Sequence, residues 1–278
     1  VATARSCELR GVAQRIADAL PPVVEEVVLT GSVSRGVADE LSDMEMLVVT
    51  SKPLELATCF EHAGRAGLES IDTWGPQGGA TSRVFGYREG VPIERVWWSR
   101  EHAEASVAAL FEGDASSTAD ALVHGVALRT GGLLERWQEQ LRDYPAELAA
   151  ARIESAALTW GGYAPEGMLT ITRPGERLAL VERMVDDASR VLQLVCALNR
   201  VWPPTTKRVA IRLEGLAVKP ERLAERIEEA LTEPDPFRAL LVMNELQLET
   251  VMLAPSGPNV ERARSWLAQV GEVLGGDE

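Results

Sequence analysis

The chain has 278 residues, 46% hydrophobic and 25% charged, which excludes a disordered or collagen-like polymer and allows two separate cores. Its 42 acidic and 28 basic residues give a net charge of −14. Nucleic acid is therefore a disfavoured partner unless a local basic patch supplies the phosphate contacts, and a small cationic molecule suits the charge better. No apolar run approaches transmembrane length and no signal-peptide pattern is visible, so no membrane partner is expected and the chain reads as cytoplasmic.

Leu9, Val12, Ile16 and Leu20 recur at helical spacing and predict an amphipathic helix over residues 7–20, ended by Pro21-Pro22. Val27-Val28-Leu29 is a short buried strand that stops at Gly31-Ser32, where a residue without a Cβ lets the backbone turn close to a ligand. Ser32 adds a hydroxyl, and the turn's N–H groups can face an anion. A second apolar strand runs from Met44 to Val49, interrupted by Glu45. Side chains alternate along a strand, so Asp43 and Glu45 share one side, where two carboxylates repel unless a cation lies between them. Magnesium takes hard oxygen ligands of this kind, one or two carboxylates with phosphate oxygens and water.

A helix is expected from Pro53 to about Ala66, then strand-like pieces at 67–74 and 81–88, joined by a connection over 75–79 rich in glycine. Residues 90–98 form a Val-, Ile- and Trp-rich strand with Glu94 as the acid inside it and Pro92 marking an edge or strand start. After Trp98 the pattern becomes helical: 100–111, 119–129, 133–143 and 146–158. A long helix follows from Pro174 to about Arg200, with Leu178, Val181, Val185, Ala188, Leu192, Val195 and Leu198 as its core stripe. Further helices lie near 207–216, 220–231, 236–253 and 259–274. The fold class is thus α+β: a small mixed sheet with flanking helices, followed by an all-helical domain. A small, polar boundary in 112–120 divides the chain into 1–115 and 116–278.

Cys7, Cys59 and Cys196 are odd in number and lack metal-ligand spacing, so they read as buried free thiols. His62, His102 and His124 fall in three helical patterns and read as surface or packing residues. Asp186-Asp187 on the long helix reads as a solvated acidic face, with a cationic acceptor as the alternative.

Gly31-Ser32-x-x-Arg35-Gly36-x-Ala38, then Ser42-Asp43-x-Glu45, resembles the signature of the DNA polymerase β-like nucleotidyltransferase superfamily. The form is similar to that of the minimal and the aminoglycoside- and lincosamide-modifying nucleotidyltransferases. Glu45 stands where Asp is commoner and Met44 where Ile is commoner. The resemblance is specific over roughly residues 25–50. It implies Mg²⁺ held by Asp43, Glu45 and a third carboxylate on a later strand, the place of Glu94, which serves as metal ligand or as general base. It also implies an NTP, foremost ATP, as co-substrate at Gly31 and Ser32, with Arg35 as a phosphate-binding candidate. Asn199-Arg200-x-Trp202-x-Pro204-x-x-Lys207 resembles a stretch in helical domains attached to some of these enzymes, and makes Lys207 a second candidate for the triphosphate. The implied activity moves an NMP, foremost AMP, to a hydroxyl of a small molecule such as an antibiotic. Its competitors are a toxin-type enzyme acting on tRNA or a protein, and a non-catalytic nucleotide-binding protein.

Overall fold

The computed structural model describes residues 2–73, 80–113, 117–161 and 165–275. The chain forms two compact units, Val1–Asp143 and Tyr144–Glu278. The connection expected over 75–79 lies outside the described residues, as do 114–116 of the expected boundary.

The first unit is α+β. Its elements in order are α1 (Ala4–Ala19), β1 (Val24–Thr30), α2 (Gly31–Ser34), β2 (Met44–Thr50), α3 (Leu56–Arg65), β3 (Glu69–Thr73), β4 (Thr81–Arg88), β5 (Val91–Ser99), α4 (Arg100–Phe111), α5 (Thr118–Val123), β6 (Val126–Arg129) and α6 (Leu133–Leu141). The strands make one six-stranded sheet in the order β3-β4-β5-β2-β1-β6. Only β2·β5 is parallel; the other pairs are antiparallel. Two strands separated by a helix and a hairpin can lie parallel, whereas the tight Glu89-Gly90 turn, both residues with positive φ, forces β4 and β5 antiparallel.

Strand alternation gives the sheet two buried faces. Val27, Leu29, Met44, Met46, Val48, Val84, Ile93 and Trp97 join Leu9, Val12 and Ile16 of α1 and Cys59 and Ala63 of α3 in one core. The other face carries Val28, Leu47 and Val49, all buried, and α4, α5 and α6 pack against it. Both faces being covered explains the near-continuous apolar runs of β1 and β2.

The helix expected over 119–129 is instead the short α5 followed by strand β6 on the edge of β1. Gly125 separates them, and a Cβ there would lie 2.7 Å from Val28 Cγ1, so only glycine lets the chain approach the sheet this closely. Arg129 then fixes the strand by donating to the carbonyls of Ala17, Leu20 and Pro21. The boundary expected in 112–120 therefore falls inside the first unit, which continues to Asp143.

The second unit is helical: α7 (Ala146–Leu158), 3₁₀ segments Thr159–Gly161 and Pro165–Thr172, α8 (Arg177–Leu198), α9 (Val209–Glu214), α10 (Leu223–Thr232), α11 (Pro236–Met252) and α12 (Pro258–Gly275). Its core is built by Trp160, Leu180, Met184, Val191, Leu194, Leu240, Met243, Leu246 and Leu267. The stripe expected on α8 holds in its later half, where Ala188 and Val195 are buried and Leu192 and Leu198 pack against the core, and fails in the first half. Leu178, Val181 and Val185 are 81%, 41% and 52% exposed, while Leu180, Met184, Asp187 and Val191 face inward. Asp187 is no part of a solvated face: it accepts from Trp160 Nε1 at 3.2 Å and Arg183 Nε at 2.6 Å. Burial raises its pKa above the ordinary carboxylate value, against the opposing pull of Arg183. Asp186 pairs with Arg190, also on the helix.

Candidate active site

Antiparallel register places Thr30 opposite Glu45, parallel register places Glu45 opposite Glu94, and antiparallel register places Glu94 opposite Phe85. These four residues form one row across β1, β2, β5 and β4, with their side chains on the face that α4–α6 cover further along the strands. Glu45 and Glu94 are half-buried there. Asp43, also half-buried, precedes β2 by one residue and stands two before Glu45.

The Gly-Ser turn sits directly on this row. Gly31 has φ +69 and begins the one-turn helix α2 as β1 ends. A Cβ at Gly31 would collide with the carboxylate of Glu45. Glycine suits the position for its left-handed backbone, and any Cβ there would oblige the Glu45 carboxylate to move. Ser32 is half-buried on α2, while the Ser34 hydroxyl donates to the Gly31 carbonyl at 3.0 Å.

Contacts from distant residues hold the turn in place. Arg10 of α1 donates to the carbonyls of Val33 at 3.2 Å and Ser34 at 2.6 Å, satisfying the C-terminal end of α2. Thr3 donates its N–H to the Gly36 carbonyl and its hydroxyl to the Ala38 carbonyl, and Ser6 Oγ accepts from the Ala38 N–H. Gly36 also has positive φ, and a Cβ there would press on Ala2 at 3.1 Å. Between Asp39 and Ser42 a side-chain turn closes: the Asp39 N–H donates to Ser42 Oγ, and that hydroxyl donates to Asp39 Oδ1, both at 2.9 Å. Ser42 thus orders the approach to Asp43.

Arg35 is committed within the fold. Its Nη1 lies 3.1 Å from Asp120 Oδ2, and the Asp120 side chain is 3% exposed. His124 Nε2 approaches the other oxygen of Asp120 at 3.5 Å. Arg35 therefore ties the motif to α5, which the sequence pattern did not reveal. Glu94 lies 3.9 Å from Arg83 of the neighbouring strand. Lys207 is exposed on the turn before α9 in the second unit. The preceding residues of its stretch are structural: Asn199 bridges the Val195 and Val218 carbonyls, Arg200 donates to the Tyr144 carbonyl, and Trp202 packs on Tyr144 with ring centroids 4.7 Å apart.

Among the described residues no group of three His, Cys, Asp or Glu side chains is arranged to hold a metal ion. Glu45 and Glu94 are thus cross-strand neighbours, with Asp43 just before β2, but the three are not drawn together as a three-ligand centre. Two of the three thiols, Cys59 and Cys196, are buried as expected; Cys7 is exposed. No helix among the described residues is long and apolar enough to cross a membrane.

No protein-family description matches the chain. No curated protein matches it. Among solved structures, the chain is similar to a nucleotidyltransferase-like protein from Exiguobacterium sibiricum 255-15. The identity is 10% and the TM-score 0.37, over 98% of this chain and 75% of that one. A likeness this distant carries no argument about function, so the reading below stands on the residues of this chain.

Proposed function

We propose that the first unit is a metal-dependent nucleotidyltransferase that moves an NMP from an NTP, foremost ATP, to a hydroxyl of a small molecule. The observation that carries this reading is the packing of the Glu45 carboxylate against the Cα of Gly31, with Glu94 in register beside it. A phosphate-holding turn and a carboxylate pair are of use to each other only at such a distance.

The donor chemistry fits magnesium: Asp43 and Glu45 supply hard oxygens, and one or two carboxylates suffice when phosphate oxygens and water complete the shell. Bound there, Mg²⁺ would neutralise phosphate charge and polarise the α-phosphorus. The turn at Gly31 and Ser32 positions the triphosphate through backbone N–H groups and the Ser32 hydroxyl. Glu94 accepts the proton of the acceptor hydroxyl as that oxygen attacks the α-phosphorus. The new oxygen–phosphorus bond forms as the bond to the β-phosphate bridging oxygen breaks, and pyrophosphate leaves with the electron pair. Arg83 lies 3.9 Å from Glu94 and flanks the place where the acceptor would sit.

The net charge of −14 supports a small and cationic acceptor, with aminoglycosides and lincosamides as the first panel to try. The test is pyrophosphate release with Mg²⁺, each NTP and panels of these compounds and tRNA, read alongside the mass of the acceptor. Asp43→Ala should abolish release, by at least about a thousandfold, while thermal melting stays close to that of the parent. Retained activity in that variant would remove the site from the reaction.

A further inference from the structure

Adjacent to Glu94 in sequence, and on the opposite face of β5, lies a group that the proposed reaction leaves unused. Arg95 is completely buried, at 0% exposure. Among the described residues none of its three guanidinium nitrogens has a hydrogen-bond partner, and the Trp97 ring centroid lies 5.7 Å from its central carbon. Three further buried atoms of this core are equally unpartnered: Trp97 Nε1, Ser82 Oγ and His62 Nδ1. The fold makes them neighbours. Arg95 and Trp97 alternate along one face of β5, Ser82 is the cross-strand partner of Trp97 on β4, and the His62 ring on α3 is 6.0 Å from that of Trp97.

The chemistry of this set is one-sided. Guanidinium carries five N–H groups and no acceptor, indole carries one N–H and no acceptor, and the serine hydroxyl can donate. His62, kept neutral by burial, offers Nδ1 as a donor in one of its two tautomers. The cross-strand partners of Arg95 are Val84 and Met46, and neither brings a negative charge. Its titratable neighbour is Cys59, whose thiol burial pushes up to about 11, so it stays protonated at neutral pH. Arg95 itself is lowered by burial to about 10 and stays charged. A buried ion surrounded by donors is among the costliest arrangements a core can hold, and is relieved only by a species that accepts without donating.

We propose that Arg95, with Trp97 Nε1–H and Ser82 Oγ–H, forms a binding site for one small inorganic anion of halide size in the core between the sheet and α3. A cavity bordered by Ser82 and Trp97, together with Thr50, Leu54 and Ser99 and without Arg95 in its lining, measures about 10 Å³, room for one water-sized particle and too little for phosphate. Water would bring two donors into a set already rich in them; a halide brings none. The proposal is independent of the nucleotidyltransferase reading, since Arg95 and Glu94 point to opposite faces of the strand.

Two measurements on the full chain test it. Melting at constant ionic strength, with chloride replaced by gluconate, should show a midpoint about 2–4 °C higher in chloride, and Arg95→Met should erase the difference. Crystals grown in bromide should show an anomalous peak within about 3.5 Å of the Arg95 guanidinium. The parent chain alone decides the matter if Arg95→Met fails to fold. A missing bromide peak overturns the proposal, as does a midpoint indifferent to chloride. Thiolate ultraviolet absorbance at neutral pH that Cys59→Ser removes would also overturn it, by making Cys59 the counter-charge.

Discussion

Replacing Gly31 by alanine perturbs the proposed site without adding or removing a charged group. The added methyl group has two separate effects. At φ +69 the backbone lies in the left-handed region, which costs an alanine about 1–2 kcal/mol. For a chain of this size that corresponds to a melting midpoint lower by roughly 2–6 °C. The second effect is steric: the new Cβ would overlap the Glu45 carboxylate. Because β1 and β2 are paired at Thr30 and Glu45, the backbone cannot part easily, and the carboxylate must swing away. A displacement of about 1 Å in a reacting constellation costs on the order of a hundredfold in rate. Gly31→Ala should therefore lower kcat for pyrophosphate release about a hundredfold at 25 °C, where the protein is still folded by circular dichroism. Adding Glu45→Asp shortens the obstructed arm, so the double variant should lose less than the two single losses combined, and the double-mutant cycle measures that coupling. A Gly31→Ala enzyme within about threefold of the parent would refute the reasoning, because the methyl group would then have displaced nothing that matters.

Glu94→Gln should lower kcat with little change in KM for the NTP, because the amide cannot accept the acceptor's proton; a kcat within about threefold of the parent takes Glu94 out of the base role. Asp120→Ala leaves Arg35 half-buried without its partner, and should cost about 2–4 kcal/mol in a urea titration, against a near-neutral result if the pair is incidental. Burial lowers the pKa of His62 below its ordinary 6.5, so the unfolded chain takes up a proton that the folded chain resists. Stability from this residue is full above pH 6.5 and declines as the pH falls from there through the lowered value. His62→Asn should flatten that acid-side slope in melting curves, and an unchanged slope would place its origin elsewhere.

The carboxylate row was legible in the sequence because strand periodicity is local. Glu45 and Glu94 lie in apolar runs whose alternation fixes their face before any partner strand is known, whereas Asp43 precedes β2. Gly31 was legible as a turn, though its contact with Glu45 depends on the β1·β2 register. The partner of Arg35 could not be read, since Asp120 is 85 residues away in sequence and carries no pattern that points back to the motif. β6 was hidden for a different reason: four residues are too few for alternation to compete with the helical signal on either side. In each of these cases the missing information is a pairing between segments distant in sequence.

The phase of α8 shows how one buried polar group can set a helix's orientation. In its first half the helix is apolar on two sides, one carrying Leu178, Val181 and Val185 and the other Leu180 and Met184, while further on Ala188 and Val195 of the expected stripe are buried together with Val191 and Leu194. Hydrophobic spacing alone favours the first side, because the second includes Asp187. The protein takes the second because Asp187 finds partners inside. Trp160 reaches it from a 3₁₀ segment 27 residues earlier, and Arg183 sits one turn before it on the same helix. A carboxylate with both an indole N–H and a guanidinium can be buried at modest net cost, whereas the same residue without them could not. The indole is itself fully buried and needs an acceptor as much as Asp187 needs donors. The mutual requirement between Trp160 and Asp187 therefore favours the side that the first half of α8 buries, which an amphipathic count assigns to neither residue.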